Sequence, residues 1–204
     1  MTTTPLHDER LDAVLAVLRS CRARTVLDLG CGEAALTGRL AAEPAVARVV
    51  GIELSAAALR RAQAAVGRLE PGQRGKVELR HGSLTEAPAC YRGFDAAVLV
   101  ETIEHVMPDR LSVLERAVFG RLRPGTVVVT TPNADFNSLL GVPAHRFRHP
   151  EHRFEWGRAK FAGWAAGVAG RNGYSVALHD VGGAHPVLGG PSQMAVFAVV
   201  PGAG

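Results

Sequence analysis

Apolar positions recur at helical spacing from Leu11 to Leu18, and Thr25-Val-Leu-Asp-Leu-Gly30 then makes a short apolar run stopped by glycine. That pattern predicts a helix followed by a buried strand. The alternation continues. Ala34 to Ala42 reads as helix, Val46 to Glu53 as strand, and Ser55 to Leu69 as a helix with Ser55 at its N-cap. After a Pro71-Gly72 turn come strands at Lys76 to Arg80 and Phe94 to Val100, a helix from about Asp109 to Leu122 ended by Pro124-Gly125, and a strand at Thr126 to Thr131. A polar and aromatic insert follows at about 133–157. A helix over Arg158 to Arg171, closed by Asn172-Gly173, then leads to strands at Tyr174 to Val181 and Gln193 to Val200. Helices separating strands predict an α/β fold, a mostly parallel sheet with helices on both faces, because a parallel crossover needs a helix-sized connection. An antiparallel member is expected in the closing pair.

At 204 residues and 47% hydrophobic composition the chain suits one domain over residues 1–204. Cys21, Cys31 and Cys90 are an odd set without paired spacing, so neither a disulfide framework nor a structural zinc site is expected. A reducing, cytoplasmic setting fits. No apolar run reaches membrane-spanning length, and the opening residues lack the basic start and apolar centre of a leader peptide. The net charge of +4 is compatible with a nucleic-acid partner but does not demand one.

Chemistry concentrates in two places. Asp28-Leu-Gly30-Cys-Gly32 lies between a strand and a helix, where small residues let a ligand approach the backbone, and Glu53 ends the second strand, where an acid can accept both hydroxyls of a nucleoside ribose. The third glycine of a dinucleotide loop is missing at the usual spacing, which disfavours a nicotinamide cofactor. The second place joins Glu101-Thr-Ile-Glu104-His105, expected on one helical turn past the fourth strand, to Ala144-His-Arg-Phe-Arg-His-Pro-Glu-His-Arg-Phe-Glu-Trp156. Two carboxylates and an imidazole, with a further imidazole from the later segment, offer ligands to a divalent ion. From residues alone the acids also read as a solvated helix start, favoured by the helix dipole. The later segment mixes His and Arg with Phe and Trp, the combination that neutralises phosphates and stacks an unpaired base. Arg146, Arg148 and Arg153 are its phosphate-contact candidates. Phe147, Phe154 and Trp156 are its stacking or packing groups, with packing favoured for Trp156.

The run Val26 to Glu33, with Gly51-Ile-Glu-Leu-Ser55 and Leu122-Arg-Pro-Gly125 before a strand, resembles the Rossmann-like class I S-adenosylmethionine-dependent methyltransferases, which have a mostly parallel seven-stranded sheet. The resemblance implies that Asp28, Gly30 and Gly32 hold the methionine end of S-adenosylmethionine, that Glu53 holds its ribose, and that Ser83 and Leu84 line the adenine pocket. Ala34 stands where many members have glycine. Glu101-x-x-Glu104-His105, Thr130 to Asn137, the His and Arg cluster through Trp156, and Gly190 to Phe197 together resemble the small-RNA 3′-terminal ribose 2′-O-methyltransferases, in particular the bacterial RNA-repair branch. That resemblance implies a divalent metal on Glu101, Glu104, His105 and His152, with His149 as the alternative to His152. It also implies transfer of a methyl group to the 2′-hydroxyl of an RNA 3′ end carrying free 2′- and 3′-hydroxyls. Manganese is expected to work best and magnesium to be tolerated. His105 and a hydroxide ion are the two candidate bases. Family members usually carry an N-terminal half that works with a polynucleotide kinase-phosphatase and ligase, and this sequence is expected to be the isolated methyltransferase domain. Two other functions compete: O-methylation of a small vicinal diol such as a catechol or quinone precursor, and an inactive RNA-binding module. Methyl transfer, and to which acceptor, separates the three.

Overall fold

The computed structural model describes residues 4–86 and 88–202. Helix α1 (Pro5–Ser20) opens with the Thr4 side chain accepting from the His7 N–H and with proline in the first turn, which tolerates its missing donor. It starts ahead of the predicted apolar stretch and turns Leu11, Val14, Leu15 and Leu18 inward. There follow β1 (Thr25–Leu29), α2 (Ala35–Ala42), β2 (Arg48–Glu53), α3 (Ala56–Gly67), a short α4 (Pro71–Arg74), β3 (Val77–His81) and β4 (Ala96–Val100). Ser55 caps α3 as expected, accepting from the Ala58 N–H at 3.3 Å. The Pro71-Gly72 turn winds on into α4, since proline in a first turn already supplies a helical φ.

Past β4 the chain makes a 3₁₀ turn at Pro108–Arg110, then α5 (Leu111–Glu115), which widens into a π turn over Arg116–Leu122 and ends on left-handed Arg123. The predicted uniform helix is therefore three winding types in succession, of which α5 and the π turn present apolar residues to one core. Strand β5 (Thr126–Pro132), the insert, α6 (Arg158–Asn172), β6 (Tyr174–Val181) and β7 (Ser192–Val199) complete the chain. Gly173 closes α6 at φ +71°, the left-handed cap that glycine adopts without a Cβ penalty.

The seven strands lie in the order β3-β2-β1-β4-β5-β7-β6. β7 runs antiparallel to both β5 and β6, and the other neighbours are parallel. The period of two is visible in the core. Leu27, Leu29, Ala97, Leu99, Val127 and Val129 enter one cluster with α6. Val26, Ala96, Val98 and Val128 point the other way, onto α1 and α2. Both faces are buried, so the central strands read as continuous apolar runs. The order reverses between β1 and β4, and the crevice beyond their carboxyl ends is where open α/β sheets bind ligands. Among the described residues no helix is long and apolar enough to cross a membrane.

Candidate active site

Two loops leave the sheet side by side at this crevice. Gly30 has φ +81°, and a Cβ there would come within 2.7 Å of the Thr102 side chain. Glycine is therefore what lets the loop after β1 pass against the loop after β4. The Thr102 hydroxyl donates to the carbonyls of Leu29 (3.3 Å) and Val100 (3.1 Å), tying the two strand ends together. Gly32 has φ +54° and open space where a Cβ would stand. Its N–H donates to Glu53 Oε2 at 2.9 Å, while Glu53 Oε1 accepts from the Ser55 N–H at 2.7 Å. Ala34 takes the left-handed φ of +68°, at a cost on the order of 1–2 kcal/mol.

Asp28 does not line an open surface: it is buried and accepts from the Thr37 hydroxyl at 2.6 Å. Burial pushes its carboxyl up to about 6, against the opposing bonds from Thr37 and with a further push from Glu53. Ser83 and Leu84 follow β3 beside Glu53. The Gly82 N–H donates to the Glu53 carbonyl at 3.1 Å, Ser83 bonds the Thr85 hydroxyl at 2.8 Å, and Leu84 packs on the larger core cluster.

Glu101 to His105 differs from the expected helical turn. Glu101 itself is left-handed at φ +49°, and only Ile103–His105 form a 3₁₀ turn. Strained backbone of this kind persists where its surroundings over-determine it, and here the end of β5 does so. Glu101 N and Oε1 both meet the Thr130 hydroxyl at 3.1 Å, and Arg10 of α1 reaches Glu101 Oε2 at 3.4 Å. Glu104 is fully buried. Its Oε2 accepts from the Thr131 hydroxyl at 3.0 Å, and its Oε1 is buried without a hydrogen-bond partner. Burial, reinforced by the charge of Glu101, holds the Glu104 carboxyl well above the usual carboxylate range. Burial likewise raises Glu101, against the opposing charge of Arg10.

The insert closes over this pair. The Arg153 N–H donates to the Glu104 carbonyl at 2.7 Å, which brings the segment through His152 against the 3₁₀ turn. His105, His149 and His152 each offer a ring nitrogen within 4.8 Å of the others. The sequence reading posed His149 and His152 as alternatives, and the fold brings both to His105. Burial and the two neighbouring imidazoles lower the pKa of His105.

Phe154 and Trp156 are buried and stacked on each other at 4.2 Å, so both pack rather than face an RNA base, and Phe147 remains exposed. Arg146 and Arg153 are exposed. Arg148 requires correction as a phosphate contact. Its Nε donates to Asn137 Oδ1 (2.5 Å), and its two terminal nitrogens donate to the carbonyls of Pro191 (2.6 Å) and Asn133 (2.5 Å). A half-buried guanidinium with each of its three nitrogens donating to a protein acceptor is a clamp on the insert. Arg10, Thr130, Thr131, Asn137 and Glu155 gained no role from sequence. Only Glu155 carried a local signal, its spacing three residues after His152.

The gathered ligand atoms are those of His105, His149 and His152, without the carboxylates of Glu101 and Glu104. The buried Glu104 oxygen, orphaned among the described residues and one residue before His105, fits a divalent cation because buried polar atoms otherwise find partners and mixed oxygen and nitrogen ligands suit borderline metals. The family model described as methyltransferase domain matches residues 26–125. The fold, with its glycine loop at the switch point, is that of a Rossmann-like S-adenosylmethionine-dependent methyltransferase. More narrowly, the crystal structure of the methyltransferase domain of bacterial CtHen1 is 37% identical, with a TM-score of 0.85, covering 95% of this chain and 100% of that one. The chain belongs to that family, the small RNA 2′-O-methyltransferases. The protein of that name from Gallus gallus is 36% identical over 187 residues, 88% of this chain and 49% of that protein. The chain spans about half the length of such vertebrate relatives. A chain of the Pnkp1/Rnl/Hen1 RNA repair complex shares the fold at 20% identity and a TM-score of 0.73, covering 97% of this chain and 42% of that one.

Proposed function

We propose that this chain transfers a methyl group from S-adenosylmethionine to the 2′-hydroxyl of the 3′-terminal ribose of RNA, with a divalent metal, in the repair or protection of RNA ends. The observations that carry the reading are the buried Oε1 of Glu104, unpartnered among the described residues, and the three imidazoles gathered around His105, the next residue. Glu101, Glu104, His105 and His152 would hold the cation, which when bound supplies Lewis acidity that lowers the proton affinity of a ribose oxygen. Manganese suits two carboxylates with two imidazoles better than magnesium does.

The chain's own residues account for the rest. Asp28, Gly30, Gly32 and Glu53 cradle the cofactor, with Ser83 and Leu84 on its adenine side. Thr102 holds the cofactor loop and the acid loop at fixed separation, so the acceptor oxygen and the donor methyl meet across one crevice. With its pKa lowered, His105 is unprotonated at neutral pH, the form that either ligates the cation or, in its place, takes the acceptor's proton. Arg146 and Arg153 offer exposed cations to phosphate. The basic insert favours RNA over a small diol. The repair complex with the same fold supports placing the reaction beside a polynucleotide kinase-phosphatase and ligase.

The test is transfer of labelled methyl to a short RNA with free 2′- and 3′-hydroxyls, beside 3′-phosphate, 2′-deoxy-terminated and catechol controls, with and without Mn²⁺. Labelling of the free-ended RNA alone, dependent on metal, is expected. Labelling of catechol alone would overturn the reading.

Arg146→Ala is expected to weaken RNA binding and to flatten the slope of log affinity against log salt by about 0.7, the value for one phosphate contact on a single strand. Filter-binding titrations across a salt series measure this, and an unchanged slope would remove Arg146 from the interface.

A further inference from the structure

The hydrogen bonds beneath the imidazoles point to a residue that acts through His152. The Glu155 side chain is 1% exposed, and it accepts from three donors: Asn137 Nδ2 at 2.7 Å, the Arg148 N–H at 2.7 Å and His152 Nδ1 at 2.6 Å. Both of its oxygens already accept an N–H, Oε2 from Asn137 and Oε1 from Arg148, and a carboxylate acting as acceptor obliges the imidazole nitrogen it faces to carry the hydrogen.

We propose that Glu155 is a positioning residue, which fixes His152 as the tautomer protonated at Nδ1 and so presents the unprotonated Nε2 to the metal-binding cluster. The inference rests on the divalent-metal reading given above for the use made of Nε2. Outer carboxylates of this kind set ring orientation and raise the basicity of the ligating nitrogen. His149 lacks the arrangement: its Nδ1 is the acceptor, taking the Glu151 N–H at 3.2 Å, and the ring is exposed. A neutral His149 in that bond carries its hydrogen on Nε2, so of the two imidazoles contributed by the insert only His152 is held ready to ligate.

Glu155 also links His152 to the clamp. Asn137, which donates to Glu155, accepts the Arg148 Nε–H at 2.5 Å, and Arg148 in turn reaches the carbonyls of Asn133 and Pro191. The ring of His152 is thereby referred to the ends of β5 and β7 rather than to the mobile reach of a surface loop. Glutamine has the shape of glutamate but one acceptor oxygen and no charge. Turned one way its NH₂ group meets the Asn137 donor, turned the other way it meets both His152 Nδ1 and the Arg148 N–H, and Asn137 cannot flip to relieve this without turning its own NH₂ on Arg148.

Two measurements test the proposal. Long-range ¹H–¹⁵N correlation spectra of histidine-labelled, metal-free wild-type protein, at a pH where the imidazoles are neutral, read the tautomer of His152 directly. The Nδ1–H form is expected, and an Nε2–H form or an even mixture would overturn the proposal whether or not any variant folds. Mn²⁺ binding to wild type and Glu155→Gln, followed by the loss of the free-ion electron spin resonance signal, is expected to weaken about 10–100-fold with S-adenosylmethionine affinity unchanged. Equal Mn²⁺ affinity in the two proteins would also overturn it. Absence of Mn²⁺ binding in wild type, with His152 still in the Nδ1–H form, would overturn the metal reading alone and support the Glu155 hold.

Discussion

Glu104→Ala is expected to abolish methyl transfer while leaving S-adenosylmethionine binding intact. The expectation follows from where the two oxygens of Glu104 stand. One is bonded to Thr131 and the other has no hydrogen-bond partner among the described residues, in a residue with no solvent exposure. A buried carboxylate with a free oxygen and a second acid nearby is costly to keep charged, and a cation removes that cost by satisfying both. Losing a ligand should exceed the roughly 10–100-fold penalty of losing an outer partner, so activity is expected to fall by more than about 100-fold. The cofactor loop has its own supports, in Gly32 to Glu53 and in the Thr102 bridge, neither of which uses the Glu104 side chain. Calorimetric titration with the cofactor, run beside the methyl-transfer assay, checks the partition. Loss of cofactor affinity in step with activity would show that Glu104 supports the loop instead.

Asp28→Asn is expected to make the cofactor-free protein more stable at neutral pH and a worse binder of S-adenosylmethionine. Burial raises the Asp28 carboxyl from 3.8 to about 6, against the hydrogen bonds from Thr37. The sign follows from proton uptake. Between these values the folded protein binds a proton that the unfolded chain has released, so stability falls as pH rises through the window. Below about 4 the group is neutral in both states and costs nothing; above about 6 it is charged in both and the cost is complete. At about 1.4 kcal/mol per pH unit, the cost reaches about 3 kcal/mol. Asparagine removes the charge and keeps an oxygen for Thr37, so its advantage over wild type should grow between pH 4 and 6 and then level off. Urea melts of both proteins at pH 4.5 and 7.5 measure it, and comparison at each pH cancels the other titrating groups. A variant equally stabilised at both values would mean that Asp28 titrates in the folded protein as it does in the unfolded chain. On the proposed assignment that charge serves the cofactor's cationic methionine end, which is why affinity should fall as stability rises.

The elements were readable because both sheet faces are buried. Val26 to Leu29 and Val127 to Val129 appear as unbroken apolar runs, and α1 shows its inward stripe at helical spacing. Glycine and proline marked most of the boundaries. What misled was local winding. Pro71-Gly72 starts a helix, and Asp109 to Leu122 passes through three helical types, because the hydrophobic period reports which face is buried and is nearly blind to pitch.

The site divides the same way. The sequence singled out Glu101, Glu104, His105 and His152 as ligand-type residues in two motifs and Asp28, Gly30, Gly32 and Glu53 as cofactor candidates, and the fold sets the first two strands' ends and the loop after β4 around one crevice. Trp156 was legible as a packing residue. Arg148 was not legible as a clamp: its neighbours Arg146 and Arg153 share its composition, and only the approach of Asn137 and Pro191 takes its donors away from solvent. Arg10 stands on the first helix and reaches Glu101 only because α1 packs across β4 and β5.

By itself the sequence determined the alternating architecture, the glycine loop and the residue types at the site, because these depend on period, turn chemistry and short spacing along the chain. Tertiary structure alone decided the partnerships: which oxygen of Glu104 is left unpaired, which imidazole faces Glu155, and which arginine is spent inside the protein. Those outcomes depend on distances between segments far apart in sequence, set by a sheet that brings the ends of β1, β4, β5 and β7 to one edge, and no local pattern encodes them.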